Sequence, residues 1–134
     1  MPPVSRWFIR AALGWLLGGL AGWLGVALLA PAWLGAVRLG LFHALTVGWI
    51  TQLIFGVALW LFPKHPGADP RGPAALNWLA FAGLNAGVPL RAVSEPWLAQ
   101  AGPAPWAAVA LTLAAWLQLA ACTAMAVSLW PRIR

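Results

Sequence analysis

Apolar residues run through this chain in long stretches, not in the short alternations of strands or the one-sided stripes of soluble helices. Residues 11–30 carry no charge. Residues 39–62 form a second run, ended by Pro63 and Lys64. A third and weaker run over 74–93 contains Asn77, Asn85, Gly87 and Pro89, with Arg91 at its end. The fourth and longest, 105–130, is closed by Pro131 and Arg132. Roughly 20 apolar residues in a helix cross the hydrocarbon core of a bilayer. Lipid satisfies no backbone N–H or C=O, so runs of this length must be helices; barrel strands would be shorter and alternating. The pattern predicts an all-α protein: a four-helix transmembrane bundle forming one membrane domain. A short turn is expected between Pro31 and Arg38, a loop over 63–73, and another loop marked by Pro96, Gly102 and Pro103.

Composition supports the bilayer as the solvent. Of 134 residues, 63% are hydrophobic and 7% charged, against about 25% charged in ordinary soluble domains. The net charge of +6 does not indicate a nucleic-acid partner, because the basic residues are sparse and flank apolar runs. With four spans, Arg6, Arg10, Lys64, Arg71, Arg132 and Arg134 share one side, and Arg38 and Arg91 the other. That asymmetry predicts cytoplasmic termini. Trp7, Trp60, Trp78 and Trp130 are expected near the inner interface, and Trp33, Trp97 and Trp106 near the outer one. The first run lacks a small-residue cleavage site before a polar chain, so a retained helix is expected. The single cysteine, Cys122, cannot form an internal disulfide.

Small residues suggest where helices approach each other. Gly14, Gly18 and Gly22 repeat at four-residue spacing, as do Gly48, Gln52 and Gly56 around a central amide; such stripes favour close helix contacts in lipid. Gln118, Cys122 and Met125 are expected on one side of the fourth helix. His43, about one turn inside the outer end of the second span, is the leading chemical candidate, because an ionisable side chain inside a span marks a functional site by default. A neutral imidazole is also a ready axial ligand for haem iron. At α-helical spacing Thr46, Val47, Ile50, Ile54 and Val57 share its side, whereas Gly48, Gln52 and Gly56 lie opposite. Arg38 and Arg91 lie at the same outer end, where their forks suit haem propionates; snorkelling to headgroups and pairing of Arg91 with Glu95 are the structural alternatives. His65 falls in the inner loop and is expected to be solvated. The chain has no phosphate-binding glycine loop, no zinc cluster, no acidic pair for hydrolysis and no mid-span carboxylate for proton-coupled transport.

The stretch Phe42-His43-Ala44-Leu45-Thr46-Val47-Gly48-Trp49, with Gln52, Gly56 and Pro63-Lys64 after it, resembles the second helix of the catalytic subunit of haem–copper oxidases, the C-type branch especially. More of the chain is similar to short bacterial proteins described as oxidase subunit I-like, through Ser5-Arg6-Trp7-Phe8-Ile9-Arg10-Ala11, Pro70-Arg71-Gly72, Leu84-Asn85-Ala86-Gly87 and Leu129-Trp130-Pro131-Arg132. The resemblance implies the bacterial inner membrane, with His43 at the position of a low-spin haem ligand and haem b as the cofactor. Two histidines in the chain cannot build the oxygen-reducing site, so oxidase activity by this chain alone is not expected. Three readings follow: a haem b protein for electron transfer or sensing, with His43 from two copies at a homodimer interface; a cofactor-free accessory or assembly subunit of a membrane complex; and a small transporter or channel.

Overall fold

The computed structural model describes residues 1–64, 70–100 and 104–133. Among them every regular element is helical. Helix α1 spans Pro3–Leu29, α2 Pro31–Leu61, α3 Ala74–Gln100 and α4 Pro105–Leu129, followed by a tight turn Trp130–Arg132. Three of them, α1, α2 and α4 with its closing turn, are long and apolar enough to cross a membrane. Helices α1, α2 and α4 open on Pro3, Pro31 and Pro105. Proline costs nothing at a first helical position, where its missing N–H would have had no partner.

Two boundaries differ from expectation. The turn after α1 is confined to the 3₁₀ segment Pro31–Trp33, so Arg38 lies inside α2 and not at the edge of a loop. Helix α3 does not stop before Pro96 but runs through Pro89 and Pro96 to Gln100, which brings Glu95 into the helix. Proline interrupts only its own bond to the carbonyl four residues back, and neighbouring helices and hydroxyls can stabilise the break. The carbonyls that lose this bond belong to Asn85 and Ala92, and α2 seats Gly40 directly against Ala92. His65, Asp69 and Arg134 lie outside the described residues.

The helices pack as two antiparallel hairpins side by side. Helix α1 lies along α2, α2 along α3 and α3 along α4, while α1 reaches α3 and α4 reaches α2 over much smaller areas. Along the first hairpin the partners run in opposite directions: a side chain at Gly56 would meet Ser5, Phe8 and Ile9, one at Gly48 would meet Trp15, and one at Gly22 would meet Leu41. Both described chain ends therefore share one end of the molecule. The apolar core lies toward that end, around Phe8, Leu59, Leu84 and Met125. Phe8 is fully buried and makes edge contacts with Phe55 of α2 and Phe81 of α3.

A second close seam runs between α3 and α4. Ala107, Ala114, Ala121 and Ser128 recur every seven residues and are all buried. Ala121 and Ala114 face Gly83 and Gly87, where an added Cβ would come within 2.9 Å of the Leu117 carbonyl and 3.1 Å of the Ala114 carbonyl. A seven-residue repeat of small residues keeps one face on its partner over several turns and lets the backbones touch. Of the expected stripe on α4, Gln118 and Met125 do turn inward, but Cys122 is exposed.

The first glycine stripe is placed differently from expectation. Gly14 and Gly18 are exposed and have nothing within 4 Å of an added Cβ, whereas Gly19 and Gly22 meet Leu45 and Leu41 of α2. Four-residue spacing marks a face capable of close approach, but not which face the neighbour occupies.

Polar residues concentrate on α3, and most point at other helices. Asn85 exchanges two hydrogen bonds with Gln52 of α2, at 2.8 and 3.3 Å, and accepts one from the Trp15 indole of α1 at 3.0 Å. Gln52 is fully buried. Nearer the termini, buried Ser128 donates to the Asn77 side chain at 2.6 Å. Helix α3, the least suited to face lipid, touches all three others.

Candidate functional site

Helix α2 is not α-helical throughout. Ala44–Thr51 forms a π-helix, beginning at the residue after His43. Its bonds reach five residues back instead of four, and such segments are rare and frequent at functional sites. The hydroxyls join in: Thr46 Oγ1 donates to the Phe42 carbonyl at 2.8 Å, and Thr51 Oγ1 to the Thr46 carbonyl at 2.9 Å. In an α-helix the nine residues from His43 to Gln52 make about two and a half turns and set the two side chains on opposite sides. A wider turn needs more residues per revolution, so the same interval comes nearer to two turns. Both side chains accordingly approach α3: Gln52 at Asn85, His43 at Glu95. The expectation that His43 and Gln52 lie on opposite faces is therefore corrected, and the wide turn is the physical reason. Gly48 and Gly56 face α1, as a stripe separate from Gln52.

His43 Nδ1 lies 2.9 Å from the Leu39 carbonyl. A carbonyl only accepts, so Nδ1 carries the proton in this bond, and in the neutral ring Nε2 keeps its lone pair. The same Nδ1 is 4.0 Å from Glu95 Oε1, with the histidine side chain 27% exposed and the glutamate 8%. Glu95 Oε1 in turn accepts from Arg91 Nε at 2.6 Å, which is the pairing the sequence left open for Arg91. Glu95 Oε2 is buried without a partner among the described residues. Near the C-terminal end of α3 the helix dipole disfavours a carboxylate, so the Arg91 charge and the neighbouring imidazole are what hold it. Arg38 is exposed on α2.

Chemically, this end of the molecule offers an oriented imidazole, whose free nitrogen can take a proton or a metal ion, beside an ion pair with one spare carboxylate oxygen. Among the described residues no three metal-ligating side chains cluster. Glu95 was visible in the sequence only as a partner for Arg91, because Pro96 suggested that the helix had already ended. Comparison with models of known protein families, with characterised proteins and with solved structures yields no match.

Proposed function

We propose that this is a four-span protein of the bacterial inner membrane that binds b-type haem through His43, one haem being shared by the His43 residues of two copies. The observation that carries this reading is the hydrogen bond from Nδ1 to the Leu39 carbonyl, at 2.9 Å. Histidines that ligate metals usually donate their other nitrogen to a carbonyl or carboxylate, which fixes the ring and strengthens the ligand. His43 therefore fits an axial ligand. Arg91 fits a propionate partner less well, since its Nε is engaged by Glu95, and exposed Arg38 fits better. Haem, when bound, supplies one-electron redox chemistry. Low-spin iron takes two axial ligands. His43 is the one described histidine, and Met125 is buried toward the other end of the molecule, so a second copy is needed. The oxidase-like motifs around His43 agree with this reading.

Reduced-minus-oxidised spectra of protein expressed with ample haem test it. The wild type should carry haem b bands at one haem per two chains, and His43→Ala should lose them. A wild type without Soret absorption ends the proposal. The remaining reading would then be a cofactor-free accessory subunit, favoured by the mutual pairing of Arg91 and Glu95.

Four spans with cytoplasmic termini are part of the same proposal. Among the described residues Arg6, Arg10, Lys64, Arg71 and Arg132 lie at the end bearing the termini, and Arg38 and Arg91 at the other. Reporters fused after Arg134 and inserted between Gln100 and Pro105 should report the cytoplasm and the opposite side respectively. Both on one side would mean that α3 or α4 does not cross.

A further inference from the structure

At the end bearing the termini, two arginines stand close together with no carboxylate among the described residues to match them. Arg132 is 4% exposed. Its Nε donates to the Pro63 carbonyl at 2.9 Å, and its Nη2 to the carbonyls of Phe62 and Leu59 at 2.5 and 3.4 Å. It thus caps the last turn of α2, where carbonyls without helical partners and the negative end of the helix dipole favour a cation. Its Nη1 is nevertheless buried without a partner, and so is Nε of Arg71.

The two residues are brought together by the chain between them and α4. Gly72 has φ +79° and lies against Ser128, so close that an added Cβ would come within 2.8 Å of the Ser128 carbonyl. Arg71 precedes that contact, and Arg132 lies one turn beyond Ser128, so their charges repel. The one described carboxylate, Glu95, belongs to the opposite end. Holding a half-buried and a buried like charge together, each with an enclosed unmet donor, is costly unless an anion neutralises them.

Arg71 also lines a cavity of about 250 Å³ bounded by Val4, Leu59, Gly72, Asn77 and Trp78. Ala74, the first residue of α3, opens onto the same space. The first backbone N–H groups of a helix have no helical partners and favour an anion. Most of the wall is apolar, and exposed Trp7, Trp60 and Trp78 stand at this end of the molecule. A free anion has no use for an apolar wall, whereas a lipid presents a phosphate and a hydrocarbon stem together.

We infer that this cavity is a binding site for a phosphate group, carried by an anionic phospholipid, with Arg71 as its principal ligand and Arg132 supplying a second, fixed positive charge. Basic pockets between helices on the cytoplasmic side are the usual place for such headgroups. The inference does not depend on haem binding.

The test uses the full chain, delipidated in neutral detergent. Phosphatidylglycerol should raise its melting temperature by on the order of 5 °C, and phosphatidylcholine should not. Inorganic phosphate at millimolar concentration separates the two sources: a shift equal to that from phosphatidylglycerol would retain the phosphate site but overturn the lipid as its occupant. Arg71→Gln should weaken the lipid effect about tenfold or more in concentration while melting no lower than the wild type without lipid, because the repulsion with Arg132 is relieved. Native mass spectrometry of the wild type gives a reading that needs no variant, with one phosphatidylglycerol per chain retained in preference to phosphatidylcholine. Equal shifts with both lipids, or an undiminished shift in Arg71→Gln, overturn the site.

Discussion

Gly56→Leu is expected to lower the stability of the protein by about 3 kcal/mol, at the upper end of ordinary overpacking costs, whereas Gly18→Leu should change it by less than about 0.5 kcal/mol. The two glycines look alike in the sequence, each in a four-residue repeat inside an apolar run. At Gly56 an added Cβ would come within 2.9 Å of the Phe8 Cβ and 3.1 Å of the Ser5 carbonyl. Neither atom is the end of a flexible side chain, so α1 and α2 would have to separate and the Phe8 contacts with Phe55 and Phe81 would loosen. At Gly18 nothing lies within 4 Å, and leucine is the better helix former. Unfolding of both variants in mixed detergent measures the difference. Equal losses would mean that the outward face of α1 is not free.

Asn85→Leu is expected to cost about 2–3 kcal/mol. The change removes the reciprocal bond pair with Gln52 and the bond from Trp15. Hydrogen bonds between membrane helices average about 0.6 kcal/mol and reach about 1.7. A buried amide left without partners adds roughly 1–3 kcal/mol more, and Gln52, fully enclosed, would be such an amide. Gln52→Leu should be destabilising for the mirror-image reason. The double variant leaves neither amide stranded, so it should be more stable than the sum of the single losses implies, by about 1 kcal/mol. Strict additivity in the cycle would show that the two amides are not coupled across α2 and α3.

The existence of the helices was legible from the length of the apolar runs, because a chain in lipid has few other ways to satisfy its backbone. The relative faces were not. The seven-residue repeat of Ala107, Ala114, Ala121 and Ser128 was present in the sequence, yet alanine is so common in this chain that the glycines drew attention first. Gly14 and Gly18 misled because small size permits contact without specifying it. The polarity of α3 read as weakness of a span, but its Asn77 and Asn85 amides serve contacts with the other helices. Pro96 read as a stop, although a proline inside a helix loses little when neighbours stabilise the break. Of the site, His43 and its possible partners were legible by residue type. The approach of His43 to Glu95 was not, since a bond from residue five to residue zero leaves no mark on composition or hydropathy.

The wide turn at Ala44–Thr51 acts as a phase shifter between the two ends of α2. Rewinding the same residues as an ordinary α-helix would leave a run still long and apolar enough to cross the bilayer. It would nonetheless swing one end of the helix by roughly 100° against the other. Gln52 could keep its amide partner only if His43 turned away from Glu95, or the reverse. Two chains of equal length and hydropathy could thus differ entirely in which polar groups they enclose, and a hydropathy plot would not tell them apart.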